Sequence, residues 1–166
     1  MIEIKHFKKH LNNIPQKDWK LLFDLIPEIK STETFGELIE SKKLKDGSYT
    51  FPYWNSAKIV DKTIETLDNL YLTPNFDWMD WEEGRKILSN EQYDFSSLDK
   101  ITLCKLLTCI IRLARFSDGH LVQKFQDRTV EKILESLESK VKDSDQNSEK
   151  KQNSLLKLLK FFKIQK

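Results

Sequence analysis

Seven consecutive residues, Arg115-Phe116-Ser117-Asp118-Gly119-His120-Leu121, place a guanidinium, a hydroxyl, a carboxylate and an imidazole close together in the chain. In a functional reading, His120 acts as acid or base and Asp118 orients it or tunes its pKa. Arg112 and Arg115 then offer a place for an anion. In a structural reading, Arg115 ends a helix near the negative end of its dipole. Ser117 or Asp118 caps the next helix, Gly119 permits the tight backbone path, and Phe116 and Leu121 pack beneath the turn. Polar triplets of this kind are common at helix junctions. His120 is the one residue that capping leaves unexplained.

The remaining chemistry-bearing residues do not complete a catalytic set. A Ser–His–Asp arrangement needs a nucleophile within hydrogen-bond reach of the imidazole, and Ser117 lies three residues from His120 on the same turn. His6 and His10 stand four apart, as two metal ligands on a helix would, but in a Lys-rich segment with no HExxH glutamate. They read as part of a solvated basic helix. Cys104 and Cys109 lie inside an apolar run on different sides of a helix, which argues for reduced, buried thiols rather than a disulfide or zinc site. Gly36, Gly47, Gly84 and Gly119 are scattered and form no phosphate-cradling loop. Neither a metal nor a cofactor is expected.

A second constellation is aromatic. Tyr53 and Trp54 in "FPYWNS", and Phe76, Trp78 and Trp81 in "PNFDWMDWEEG", are dense. Aromatic residues this close usually build core. Trp78 and Trp81 nevertheless share a helical face at i, i+3. Asp77, Asp80, Glu82 and Glu83 surround them, so the pair suits a cationic segment of a partner. Arg112 or Arg115 of the same chain would satisfy it equally.

Elements must position these groups. "DWKLLFDLIPEI" predicts a helix over about 18–26, capped by Asp18 and stopped by Pro27. "FGELIESKKLKDGSYTFPYWN" alternates around Asp46-Gly47 and predicts a small hairpin within 35–55, Pro52 keeping its second arm at an edge. Ser56 should cap a helix whose stripe is Ile59, Val60, Thr63, Ile64, Leu67, Leu70 and Tyr71. A short helix should start near Asp77 or Asp80. Ser97 opens the most apolar element, with Leu103, Leu106, Leu107, Ile110, Leu113 and Ala114 forming a broad face. Lys105, Thr108, Arg112 and Arg115 make a polar, basic line along it. Leu121, Val122 and Phe125 suggest one or two further turns, and Asp127 caps a helix with Val130, Ile133, Leu134, Leu137 and Val141 inside.

Composition bounds the rest. With 166 residues, 39% of them hydrophobic, the chain suits a single domain, placed at 1–141. Four Gly and four Pro are too few for many strand turns, which favours helix. The net charge of +2 exerts no global pull toward nucleic acid. No stretch approaches the ~20 apolar residues of a membrane span, and the first residues have no signal-peptide pattern. A cytoplasmic location follows as the expectation. Residues 142–153 read as a disordered polar linker. The segment 154–166, "SLLKLLKFFKIQK", reads as a basic amphipathic helix that docks on its own domain, in a partner's groove, or on an anionic membrane.

The blocks "GSYTFPYWNSAKIVDKTIETL", "FDWMDWEEGRKIL" and "LCKLLTCIIRLARFSDGHLVQKFQDRTVEKIL" resemble, in that order, an uncharacterised bacterial family catalogued as a domain of unknown function. The resemblance covers roughly residues 35–137 and is most specific from Leu103 through Leu121. It implies bacterial origin and emphasis on Tyr53, Trp54, Asp77, Trp78, Trp81, Arg115, Asp118 and His120, without an activity. The family commonly carries Glu at Asp118 and Gly at Arg128, so a turn glycine is missing here.

The expected fold is mainly α, about five helices around a 98–115 spine with one small hairpin. The leading functional expectation is a non-catalytic module that binds a protein partner through the aromatic–acidic patch. An enzyme or anion-binding domain centred on Arg115, Asp118 and His120 is the rival. Nucleic-acid binding through Lys105, Arg112, Arg115 and the basic tail is a third, disfavoured by the near-neutral charge.

Overall fold

A computed structural model describes residues 2–144. The fold is mainly α with one antiparallel hairpin. Its elements are α1 (Ile4–Asn13), α2 (Gln16–Phe23), α3 (Ile26–Ser31), β1 (Gly36–Ile39), β2 (Tyr53–Ser56), α4 (Lys58–Asn69) and α5 (Glu82–Leu88). A 3-10 turn (Phe95–Ser97) leads into α6 (Lys100–Leu113) and α7 (His120–Gln126), and α8 covers 129–144.

α6 is the spine. Seven of its residues, Leu103, Cys104 and Leu106 through Ile110, are buried, and α1, α5 and α7 pack against it. Its N-cap is Asp99, whose carboxylate accepts from the Ile101 and Thr102 amides, rather than Ser97. Ser97 instead closes the preceding 3-10 turn, which Asp94 caps. Phe7, Leu22, Ile29, Phe35, Val60, Leu67, Ile87, Phe125 and Ile133 complete a core to which α1 to α5, α7 and α8 all contribute. Burial of this much apolar surface drives the fold.

Several predicted boundaries are corrected. The single helix expected over 18–26 is two, because Pro27 lies in the first turn of α3 and starts that helix instead of stopping its predecessor. A first-turn Pro loses no intrahelical bond. Asp18 lies inside the first turn of α2, with Pro15 as N-cap. Ser56 ends β2, and Ala57 is the N-cap of α4. The N-terminal helix is not simply solvated: Phe7 and Leu11 are buried, and His10 Nε2 donates to the Leu70 carbonyl at 2.8 Å. Among the described residues no three His, Cys, Asp or Glu side chains gather as metal ligands would.

The hairpin runs as expected. Gly36 pairs with Ser56 and Ile39 with Tyr53, and Asp46 accepts from both the amide and the hydroxyl of Ser48 in the turn. Asp127 caps α8 through the Thr129 amide at 2.9 Å. Ahead of α1, Glu3 and Asn75 form a parallel bridge. The Ile4 amide donates to the Asn75 carbonyl, the Asn75 amide to the Ile2 carbonyl, and the Asn75 side chain to Glu3.

Residues 142–144 continue α8. The rest of the expected linker and the basic 154–166 segment lie outside the described residues.

Candidate functional site

The corner after α6 is built by backbone bonds. The Phe116 and Ser117 amides donate to the Leu113 carbonyl, and the His120 amide donates to Ser117. Gly119 is the N-cap of α7, with φ +79°. Neither Ser117 nor Asp118 fills that role. Gly119 is demanded twice: its φ is left-handed, and a Cβ there would lie 2.5 Å from the Trp54 indole. Asp118 Oδ2 accepts from the Trp54 backbone amide at 3.1 Å. The carboxylate thus ties the hairpin to the corner and serves Trp54 rather than His120. Trp54 itself remains partly exposed, as does Tyr53.

His120 lines a cleft of about 710 Å³ between α5, α6, α7 and the loop before α5. Leu88, Cys109 and Leu113 line it as well, together with Trp78, Met79 and Phe116. Arg85, Glu91 and Lys124 supply charge. His120 Nε2 is buried and has no hydrogen-bond partner among the described residues. Burial lowers the His120 pKa, nearby Lys124 lowers it further, and Asp127 opposes both. Lys124 is itself paired with Asp127 at 2.9 Å. The Cys109 thiol is pushed up to about 11, mainly by burial, so it is protonated at neutral pH.

Phe116 does not pack beneath the turn as expected; it is 70% exposed. Its ring meets Trp78 at 6.2 Å between centroids. Trp81 goes elsewhere. The FDWMD segment is a loop and α5 begins only at Glu82, so the helical face expected to pair Trp78 with Trp81 does not exist. Trp81 stands edge-on to Phe76 and lies across Gly84, where a Cβ would come within 2.2 Å of the ring. Lys105 Nζ sits 3.8 Å from the Trp81 centroid and 4.8 Å from that of Phe76. The cation that Trp81 was expected to receive is therefore supplied from within, by Lys105 and not by Arg112 or Arg115. Asp77, Asp80, Glu82 and Glu83 remain exposed around the loop.

The basic line on α6 is also divided. Burial lowers the Lys105 pKa, and the buried Thr108 hydroxyl donates to the Cys104 carbonyl. Arg112 reaches Asn75 Oδ1 at 3.5 Å. Arg112 and Arg115 line a separate cleft with Tyr71 and Thr73, on a different face of α6 from the one bearing Cys109, Leu113 and Phe116. His120 and Asp118 meet instead in a third depression, with Trp54 and Gly119. The structure thus brings His120 to Trp78, and Asp118 to Trp54, while Arg115 lies with Tyr71.

Sequence reasoning passed over Met79, Arg85, Leu88 and Lys124 as cleft residues. Phe116 carried a usable signal: a large apolar ring between Arg115 and Ser117 in a polar turn.

No helix among the described residues is long and apolar enough to cross a membrane. No curated protein and no solved structure matches the chain. Residues 14–143 match the model of a family of unknown function, DUF6508, and the chain belongs to that family.

Proposed function

We propose that this domain is a non-catalytic interaction module of the bacterial cytoplasm. Its partner is a protein bound along an aromatic surface. That surface passes from Trp78, Met79 and Phe116 across the His120 cleft toward Trp54. The observation that carries this reading is the 70% exposed Phe116 at a cleft containing a buried, unpartnered imidazole nitrogen. A solvent-facing aromatic ring at the rim of an apolar cleft favours a partner that covers it. Aromatic residues, Met and Arg are the types enriched in protein interfaces.

The non-catalytic reading draws on the state of the reactive groups. Asp118 is engaged by the Trp54 amide, the Cys109 thiol is protonated, and the Ser89 hydroxyl donates to the Arg85 carbonyl. Charge at the cleft is balanced, Arg85 standing with Glu91 while Lys124 is paired with Asp127, so apolar contact rather than charge selects the partner. The cationic partner suggested by the Trp–carboxylate spacing is not needed at Trp81, because Lys105 already covers that ring. Two free, buried thiols fit a reducing compartment, and bacterial origin rests on the resemblance in sequence.

The test places a photo-crosslinking amino acid at Phe116 in the host organism. One protein should be captured in near-equal amount. Trp78→Ala with Phe116→Ala should weaken the purified complex by about 30-fold, as loss of interface hot spots does, while circular dichroism stays unchanged. Unchanged affinity in that folded double variant, or no captured protein, refutes the proposal.

A further inference from the structure

The hairpin carries a face that nothing among the described residues covers. Its register is constant from end to end: Ile39 pairs with Tyr53, and Lys43 bridges Tyr49 with no residue inserted between. The Thr50 amide donates to the Lys42 carbonyl and the Leu44 amide to the Ser48 carbonyl, so the arm continues past β1 and β2 to the Asp46-Gly47 turn. Alternation along the strands then fixes its two faces. Trp54 and its partner Leu38 share one face, where the Trp54 ring lies against Gly119 of the corner. Glu37, Ile39, Lys43, Tyr49, Phe51 and Tyr53 fall on the other.

On that second face the three aromatic residues stand at every other position, ~6.8 Å apart. Tyr49, Phe51 and Tyr53 are 63%, 90% and 53% exposed. Glu37 and Asn55, at its base, are exposed as well, so the helical body does not roof it. At ~200 Å² for a whole aromatic side chain, the three rings leave about 400 Å² in solvent. Ile39 and the lysine stems bring the face near the ~600 Å² per partner of the smaller specific interfaces.

Charge is segregated along the arm. Glu37 and Glu40 lie toward its base, and Lys42, Lys43 and Lys45 lie toward its tip beside Asp46. Neither these glutamates nor these lysines form an ion pair with a described residue. Lys43 lies 6.0 Å from the Tyr49 ring centroid, and Asp46 accepts from Ser48. Two arms laid face to face in the same direction would set lysine against lysine. Reversed, each tip lies on the other's base. The ring positions then map onto themselves: Phe51 meets Phe51, Tyr49 meets Tyr53, and Lys45 comes beside Glu37.

We propose that this hairpin face is a homodimer interface, covered by the same face of a second copy in antiparallel order about a two-fold axis at Phe51. Apolar contact between the rings supplies the affinity, and the lysine–glutamate pairs set the direction. The face shares no residue with the Phe116–His120 cleft, so the two readings fail separately.

Sedimentation of the whole 166-residue protein, from about 1 to about 200 μM, should show a monomer–dimer equilibrium with a Kd of about 10 μM. Phe51→Ala should weaken it about 30-fold. Circular dichroism should not change, because the ring is exposed in the monomer. Glu37→Lys and Lys45→Glu should each weaken dimerisation about 5-fold. Mixing those two variants should restore it, since only the mixed pair regains both lysine–glutamate contacts. Trp78→Ala with Phe116→Ala should leave the dimer unchanged. A protein that stays monomeric at the highest concentration, or open-ended aggregation without a dimer plateau, overturns the proposal. So does a dimer that survives Phe51→Ala, a failure to recover on mixing, or loss of the dimer in the cleft double variant.

Discussion

Arg128 offers a way to weigh backbone strain against side-chain bonding at one position. Its φ is +64°, in the left-handed region. Its guanidinium donates to the Ile29 carbonyl at 2.8 Å and the Thr32 carbonyl at 3.0 Å, at the end of α3. It also reaches Glu131 at 3.3 Å and lies 5.3 Å from the Phe35 ring centroid. Replacing it with Ala removes these contacts and keeps the strain. Two charge-assisted bonds at a partly exposed site contribute about 3 kcal/mol together, and the Glu131 pair adds little. Arg128→Gly loses the same contacts but recovers about 1 kcal/mol of left-handed backbone cost. We expect Arg128→Ala to lose about 3 kcal/mol and Arg128→Gly about 2 kcal/mol. Gly would then be more stable than Ala, the reverse of the usual order. Urea unfolding reads the difference directly: 1 kcal/mol corresponds to about 0.5 M in midpoint for a slope of ~2 kcal/mol/M. If Ala equals or exceeds Gly, the backbone is not strained there. If both match the parent, the two carbonyl bonds contribute nothing.

Three other outcomes can be checked. Gly119→Ala forces a Cβ against Trp54 at φ +79° and should cost at least about 2 kcal/mol in chemical unfolding; adding Trp54→Ala should restore only the steric part. Because burial depresses the His120 pKa below 6.5, the unfolded chain takes up a proton first as pH falls. That contribution is intact above about pH 6.5 and is lost as pH falls from there to the folded pKa, so the urea midpoint of the parent should drop more between pH 8 and 5 than that of His120→Gln. Both thiols are buried with raised pKa values, so thiol-reactive dye at pH 8 should leave Cys104 and Cys109 unmodified in the native protein and label both in urea.

Much of the architecture was legible from periodicity. Leu103, Leu106, Leu107 and Ile110 marked α6 as the spine, Asp46-Gly47 marked the hairpin turn, and Asp127 marked the start of α8. What failed were signals with two physical meanings. Pro27 stops a helix that it follows and starts one that it enters, and only the packing of Ile26 and Ile29 decides between them. Trp78 and Trp81 stand at a helical interval, but the loop sends one ring to Phe116 and the other to Lys105. The Asp118–His120 spacing suggested an orienting bond, whereas the carboxylate had a competing donor 64 positions away in the Trp54 amide. Arg128, where the resembling family carries Gly, was visible as a departure; its left-handed backbone and the carbonyls that compensate for it required coordinates.

The clasp at Asn75 bears on where the folding unit ends. The family match begins at residue 14, yet the rungs from Ile2, Glu3 and Ile4 to Asn75, and the side chains of Phe7 and Leu11, all precede it. A fragment trimmed to 14–143 would keep every motif block and lose one wall of the α6 core. In hydrogen exchange the Ile4 and Asn75 amides should open together with the spine, as one foldon, and the trimmed fragment should exchange like a molten chain.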